Sequence, residues 1–137
     1  MSIISAVQTF LETCPTINLV HIDRPDQKPS NYAVALAGNS KISEDVLGNK
    51  TYQYSFTFFV REYTGSDVER LDNHDFLQDF SDWIEEQDEI GNYPTLPTNC
   101  EAESMSVANM LLFDVDEDGS EGLYQVQLNL IYTKGRT

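Results

Sequence analysis

The chain has 137 residues, a formal net charge of -15, 40% hydrophobic residues and two cysteines. That length suits one domain with a real core, and seven Phe and seven Tyr argue for a folded protein despite the acidity. A surface of this sign repels phosphate, which speaks against stable binding to nucleic acid or an anionic membrane, and no apolar run approaches membrane-spanning length.

Residues 1–4 carry no basic region, so no export signal is visible and synthesis in the cytoplasm is expected. Ile3, Val7, Phe10, Leu11 and Cys14 recur at helical spacing after Ser2, which predicts an amphipathic helix over residues 3–13, ended by Pro15. Residues 17–22 read as a short β segment, and residues 23–30, with two prolines and several charges, as a surface loop. Tyr32, Val34 and Leu36 alternate with Ala33, Ala35 and Ala37, the pattern of a strand with one large-residue face and one closely packed face. Gly38-Asn39 then predicts a turn, residues 41–47 a second short strand, and Gly48-Asn49 another turn.

The clearest strand follows. Tyr52, Tyr54, Phe56, Phe58 and Val60 share one parity, whereas Thr51, Gln53, Ser55 and Thr57 share the other. Ser66-Asp67-Val68-Glu69 fits a capping box at a helix start, and Gly91 fits a helix stop. Between them Leu71, Phe76, Leu77, Phe80, Trp83 and Ile84 define an apolar face, while Asp and Glu crowd the remainder. One helix over residues 67–90, or two divided at Asn73-His74, both fit that pattern. Residues 92–97 form a proline-stiffened connection. Met105, Val107, Leu111, Phe113 and Val115 share one parity, and Tyr124, Val126, Leu128, Leu130 and Tyr132 another, which predicts a long closing β-hairpin. The fold class is thus α+β in a single domain spanning residues 1–137: a mixed, largely antiparallel sheet with two main helices on one face.

Residues 71–133 hold fifteen Asp and Glu and no Lys or Arg, so essentially all of the net charge lies in one continuous stretch. Carboxylates this dense repel one another along a helix, and its apolar face must supply the stability. The sharpest local motif is Asp114-Val115-Asp116-Glu117-Asp118-Gly119, which matches the first half of an EF-hand calcium loop. The twelfth position, however, is Gln125 rather than a bidentate Glu, and an alternating strand follows instead of an exiting helix. Calcium site and acidic hairpin tip both stand at this point, the tip being more economical. His21 and His74 have no Cys or second His at ligand spacing, and no nucleophile elbow or phosphate loop is present. Cys14 and Cys100 are expected as reduced, buried thiols. No catalytic, cofactor-binding or metal-ligating residue is therefore assigned.

The order of features resembles the tail-terminator, or tail-completion, proteins of long-tailed bacteriophages and prophages, often labelled minor capsid proteins. Three stretches carry the likeness: residues 32–38 running through Gly48 into 53–58, residues 76–87 continuing through Gly91 to Leu96-Pro97, and residues 124–132. The resemblance implies an α+β virion protein without catalysis or cofactor, made in the bacterial cytoplasm. It implies self-association into a ring of about six copies at the junction of tail and head. Its implied partners are the major tail tube protein and the head–tail connector proteins, with neither stable nucleic-acid binding nor membrane contact. Part of the acidic stretch is then expected to line or rim the DNA channel. A reading of a different class is an acidic regulatory module, a nucleic-acid mimic that binds a basic protein. A third is a calcium-dependent adhesion component using the 114–119 turn.

Overall fold

The computed structural model describes residues 2–17, 19–23 and 31–135. In chain order the elements are α1 (Ile3–Leu11), β1 (Val20–Ile22), β2 (Asn31–Glu44), β3 (Lys50–Tyr63), α2 (Asp67–Ile90), β4 (Cys100–Val115) and β5 (Glu121–Lys134). The five strands form one sheet in the order β1-β2-β3-β5-β4, with β1 parallel to β2 and every other pair antiparallel. Both helices pack on one face of this sheet, and the chain closes with a long β4–β5 hairpin, the α+β arrangement expected from the sequence. Most of the expected 23–30 loop, residues 24–30, lies outside the described residues.

The core is built on the period-two pattern of the two central strands. Tyr54, Phe56, Phe58 and Val60 of β3 and Tyr124, Val126, Leu128, Leu130 and Tyr132 of β5 all point toward the helices and are buried. Across them runs an aromatic column. Phe10 of α1 meets Trp83 of α2 at a centroid distance of 5.2 Å, and Phe80, one turn earlier, stacks on Phe58 of β3 at 4.7 Å. Tyr32 of β2 lies between Phe58 at 5.9 Å and Phe76 at 5.5 Å. Each such pair adds about 0.5–1.5 kcal/mol beyond the area it buries, so the column fixes both helices to the sheet and to each other.

The helix ends follow from local chemistry. Ser2 and Ser5 form a reciprocal capping box at the start of α1, each hydroxyl accepting from the other residue's amide at 3.2 Å. Ser66 caps α2 by accepting from the Glu69 amide at 3.2 Å, but its hydroxyl donates to the Glu69 carboxylate instead of leaving that group to the Ser66 amide. Gly91 takes the left-handed conformation (φ 72°), which lets Asn92 N–H donate to the Gln87 carbonyl and end the helix. Between these caps α2 is one uninterrupted helix of 24 residues. Asn73 does not break it because its amide turns inward, donating to the Tyr63 carbonyl at 2.8 Å and to the Tyr124 hydroxyl at 3.3 Å.

Three strand-level expectations are corrected. Gly38-Asn39 is not a turn: β2 runs straight through it as one strand of 14 residues, and the extra residue is absorbed as a bulge between Leu36 and Gly38. The next strand expected over 41–47 is therefore the last part of β2, with the turn beginning at Asp45. On β4 the shared parity of Met105, Val107, Leu111, Phe113 and Val115 is broken. A shift between Val107 and Asn109 brings Met110 and Leu112, opposite Val126 and Tyr124, onto the helix side and sends Leu111 to the other.

These irregularities form a pattern. The central pair β3–β5 stays in register over its whole length, whereas the outer strands carry one extra residue about every five: Ala37 and Ile42 on β2, Glu103, Ala108 and Phe113 on β4. In a twisted sheet a strand far from the twist axis follows a longer path than one on it, and added residues keep it paired.

Glycine substitutions separate packing from backbone freedom. A Cβ on buried Gly122 would lie 2.8 Å from Thr64 Cγ2, 3.0 Å from Leu112 Cδ1 and 3.3 Å from the Asp114 carbonyl, whereas one on Gly38 meets nothing within 4 Å. Gly122→Ala is expected to lower unfolding free energy in urea titrations by about 1–3 kcal/mol. Gly38→Ala should leave it unchanged or raise it by up to about 1 kcal/mol.

Candidate functional site: sheet edges and an acidic wall

A sheet edge exposes unpaired amides and carbonyls, and here each helix closes part of one edge with a carboxylate. On α1, Gln8 and Glu12 stand one turn apart. Gln8 Nε2 donates to the Val20 carbonyl at 2.6 Å, and the Val20 amide donates to Glu12 Oε2 at 2.9 Å, so both backbone groups of β1's first residue are taken. On α2, Asp88 Oδ1 accepts from the Met105 amide of β4 at 3.0 Å and from the Tyr93 hydroxyl at 2.7 Å. That bond to Asp88 pushes the Tyr93 hydroxyl up to about 12, and burial does the same for Tyr32.

Beyond these clamps the described residues leave the edges open. Short β1 pairs only with residues 32–34 of β2, and no described residue outside the sheet hydrogen-bonds the β4 backbone between Ser106 and Leu112. Exposed apolar side chains gather at two corners. Ile42 near the end of β2, with Val46 and Leu47 in the β2–β3 turn, forms one group. Leu111, Leu112, Phe113 and Val115 at the far end of β4 form the other. Register and strand order put the two groups at diagonally opposite ends of the sheet.

The faces differ in charge. Asp72, Asp75, Asp79, Asp82, Glu85, Glu86 and Glu89 are exposed on α2, and among the described residues none of them forms an ion pair. The middle of the sheet face without helices instead presents neutral amides and hydroxyls. Ser55 Oγ donates to Asn129 Oδ1 at 2.7 Å, and Thr57 Oγ1 to Gln127 Oε1 at 3.1 Å.

The 114–119 turn is tied down by short-range bonds. Arg61 of β3 reaches Asp116 at 3.3 Å and Glu121 at 3.5 Å, while Thr64 donates from its amide to Ser120 O and from its hydroxyl to Gly119 O, both at 2.9 Å. Asp118 accepts from the Ser120 hydroxyl and amide, which holds its carboxyl below the usual carboxylate range. β5 begins at Glu121, so strand rather than helix follows the turn, and Gln125 lies on the neutral face. Among the described residues no group of three or more His, Cys, Asp or Glu is placed to hold a metal ion.

The histidines are not brought together. His21 lies on β1 in register with Ala33, on the face away from the helices, and His74 is exposed on α2, edge-on to Tyr124 at 6.1 Å. Cys14 and Cys100 are both free thiols, but only Cys14 is buried; Cys100, at the start of β4, is partly exposed. A cleft of about 310 Å³ between α1 and residues 92–95 is lined by Ala6, Phe10, Tyr93 and Pro94 with threonines and an asparagine. It contains no carboxylate, thiol, imidazole or amine. Neither a protein-family model nor a curated protein matches this chain.

Asp88 and Glu12 act on the edges through acceptors that nothing in the sequence distinguishes from their many acidic neighbours. Asp88→Ala is expected to cost about 1.5–3 kcal/mol in urea unfolding, because two donors lose a charged acceptor. Glu89→Ala, one residue on and exposed, should cost less than about 0.5 kcal/mol. The folded state holds Tyr93 and Tyr32 protonated beyond the ordinary value of 10.0. The stability that these two hydroxyls contribute is accordingly complete below pH 10 and lost as pH rises toward about 12. Tyr93→Phe should reduce that alkaline loss when unfolding is followed across this window.

Proposed function

We propose that this chain is a structural subunit of a long-tailed bacteriophage or prophage virion. In this reading it is a tail terminator that assembles as a ring at the tail–head junction and carries out no catalysis. The observation that supports this most is the pair of unlike apolar corners at opposite ends of one sheet. Surfaces that differ join head to tail, and head-to-tail contacts close into rings when the rotation permits, whereas a two-fold dimer uses one patch twice. The open stretches of β2 and β4 favour the same outcome, since neighbours or covering segments must occupy them. The three stretches that resemble tail terminators fall on β2 with β3, on α2 with its following connection, and on β5.

The charge fits a conduit. A wall of carboxylates on α2 repels phosphate, so DNA passing it does not stick. In the ring some of these side chains line or rim the channel, and the partners are the tail tube protein and the head–tail connector.

Native mass measurement and electron microscopy test this directly. Concentrated protein, or protein added to tail tubes, should form rings of about six copies that cap tube ends and retain no DNA at low salt. A chain that stays monomeric at every concentration and leaves tube ends bare overturns the proposal. So does a ring with a basic lumen. Tight binding to a basic protein, falling steeply with salt, would instead mark the acidic-mimic reading.

A further inference from the structure

The β2–β3 turn has an unusual apex. Turns favour Gly, Pro, Asn, Asp and Ser, yet the two residues at the tip are Val46, fully exposed, and Leu47, 68% exposed. The turn beneath them is firmly built. Asp45 Oδ1 accepts from the Leu47 amide at 2.9 Å and the Asn49 amide at 3.0 Å, and Oδ2 accepts from Asn49 Nδ2 at 3.1 Å. Gly48 supplies the left-handed residue (φ 87°) that the reversal needs. These bonds present two aliphatic side chains to solvent in one orientation, so little ordering remains to be done when they are covered.

At the diagonal corner lies a matching recess. α2 and β4 leave a cleft of about 190 Å³ lined by Leu77, Met110, Leu111, Leu112 and Tyr124, with His74 and Gln78 at its rim. An apolar void of about 150 Å³ takes up a benzene-sized group, so this cleft suits one or two aliphatic side chains. The rims differ in charge. Lys41, Lys50 and Lys134 stand at the hairpin-tip end of the sheet, where Lys50 and Lys134 face each other in register, against Glu44, Asp45 and Glu101. Beside the cleft, Asp82 is held by Gln78 at 2.9 Å, and the adjoining turn carries Asp114, Asp116, Glu117, Asp118 and Glu121 against Arg61.

We infer that the Val46-Leu47 tip of one copy inserts into the Leu77–Met110–Leu112 cleft of the next. The inference rests on the ring reading and names its contact. Tip and cleft lie at opposite ends of one molecule, so no copy fills its own cleft, and each insertion leaves a tip and a cleft free for further copies. The lysines bring a near-neutral corner to the most acidic one, which lowers the repulsion of that approach and disfavours cleft-to-cleft encounters.

Two variants of the full chain test it beside the wild type. Val46→Asp with Leu47→Asp alters only exposed turn side chains, so the fold persists, checked by circular dichroism. The concentration at half-assembly should rise tenfold or more. Val46→Cys with Leu112→Cys, oxidised at high protein concentration, should give a ladder of disulfide-linked chains whose peptide map shows 46 joined to 112. If the wild type is multimeric but no 46–112 link forms and the double-Asp variant assembles unchanged, the contact is wrong and the ring stands. If the wild type stays monomeric and no ladder forms, both fall.

Discussion

The structure depends on the uninterrupted pairing of β3 with β5. Fourteen consecutive positions of β3 face β5 without a shift, and because side chains alternate strictly, every large residue on the pair lands on the same face. That face offers a continuous apolar floor from Tyr132 to Tyr124 on one strand and from Tyr52 to Val60 on the other. Phe58, near its centre, holds Phe80 of α2 on one side and Tyr32 of β2 on the other. A single slip of register would turn this floor to solvent and release both helices at once.

The cost of a long, twisted central pair falls on its neighbours. The β2 and β4 strands keep pace only by adding residues, and each added residue turns local side chains away from the regular pattern. Several apolar side chains exposed on these strands, Leu36 and Ile42 on one and Leu112 and Phe113 on the other, lie beside or at those additions. Twist in the middle of the sheet thus generates sticky corners at its ends. Glu12 and Asp88 then seal the ends nearest the helices, so the corners are left as the places where a neighbour can attach.

What could be read from the sequence follows the same division. The α1 and α2 helices and strands β3 and β5 were legible because their side-chain periods run unbroken over many residues. The outer strands were not, since an inserted residue resets a period of two without any compositional mark. Ala108 looks like any small strand residue, yet it exchanges Leu111 for Met110 and Leu112 on the core side. Gly38-Asn39 carries the chemistry of a turn, but the strand on its inner side is long enough to hold it straight. Of the candidate assembly surface, the acidic stretch was visible as composition. The Val46-Leu47 apex was hidden inside what looked like the end of a strand. The edge clamps were hidden by number: among fifteen carboxylates, residue type alone cannot single out Asp88.

Charge and apolar contact oppose each other in any assembly of this chain. Each copy brings a net charge of -15, and at physiological ionic strength repulsion between copies reaches about 8 Å before it is screened. Exposed apolar corners overcome that only where the carboxylates stay apart, and the fold arranges this by confining them. The acids of α2 stand on the helix side, the middle of the open sheet face carries amides and hydroxyls, and Lys41, Lys50 and Lys134 gather at the end farthest from the 114–121 turn. A chain with the same composition but scattered charge would repel its copies from every direction. Segregation leaves approaches through the lysine-bearing end with the least repulsion.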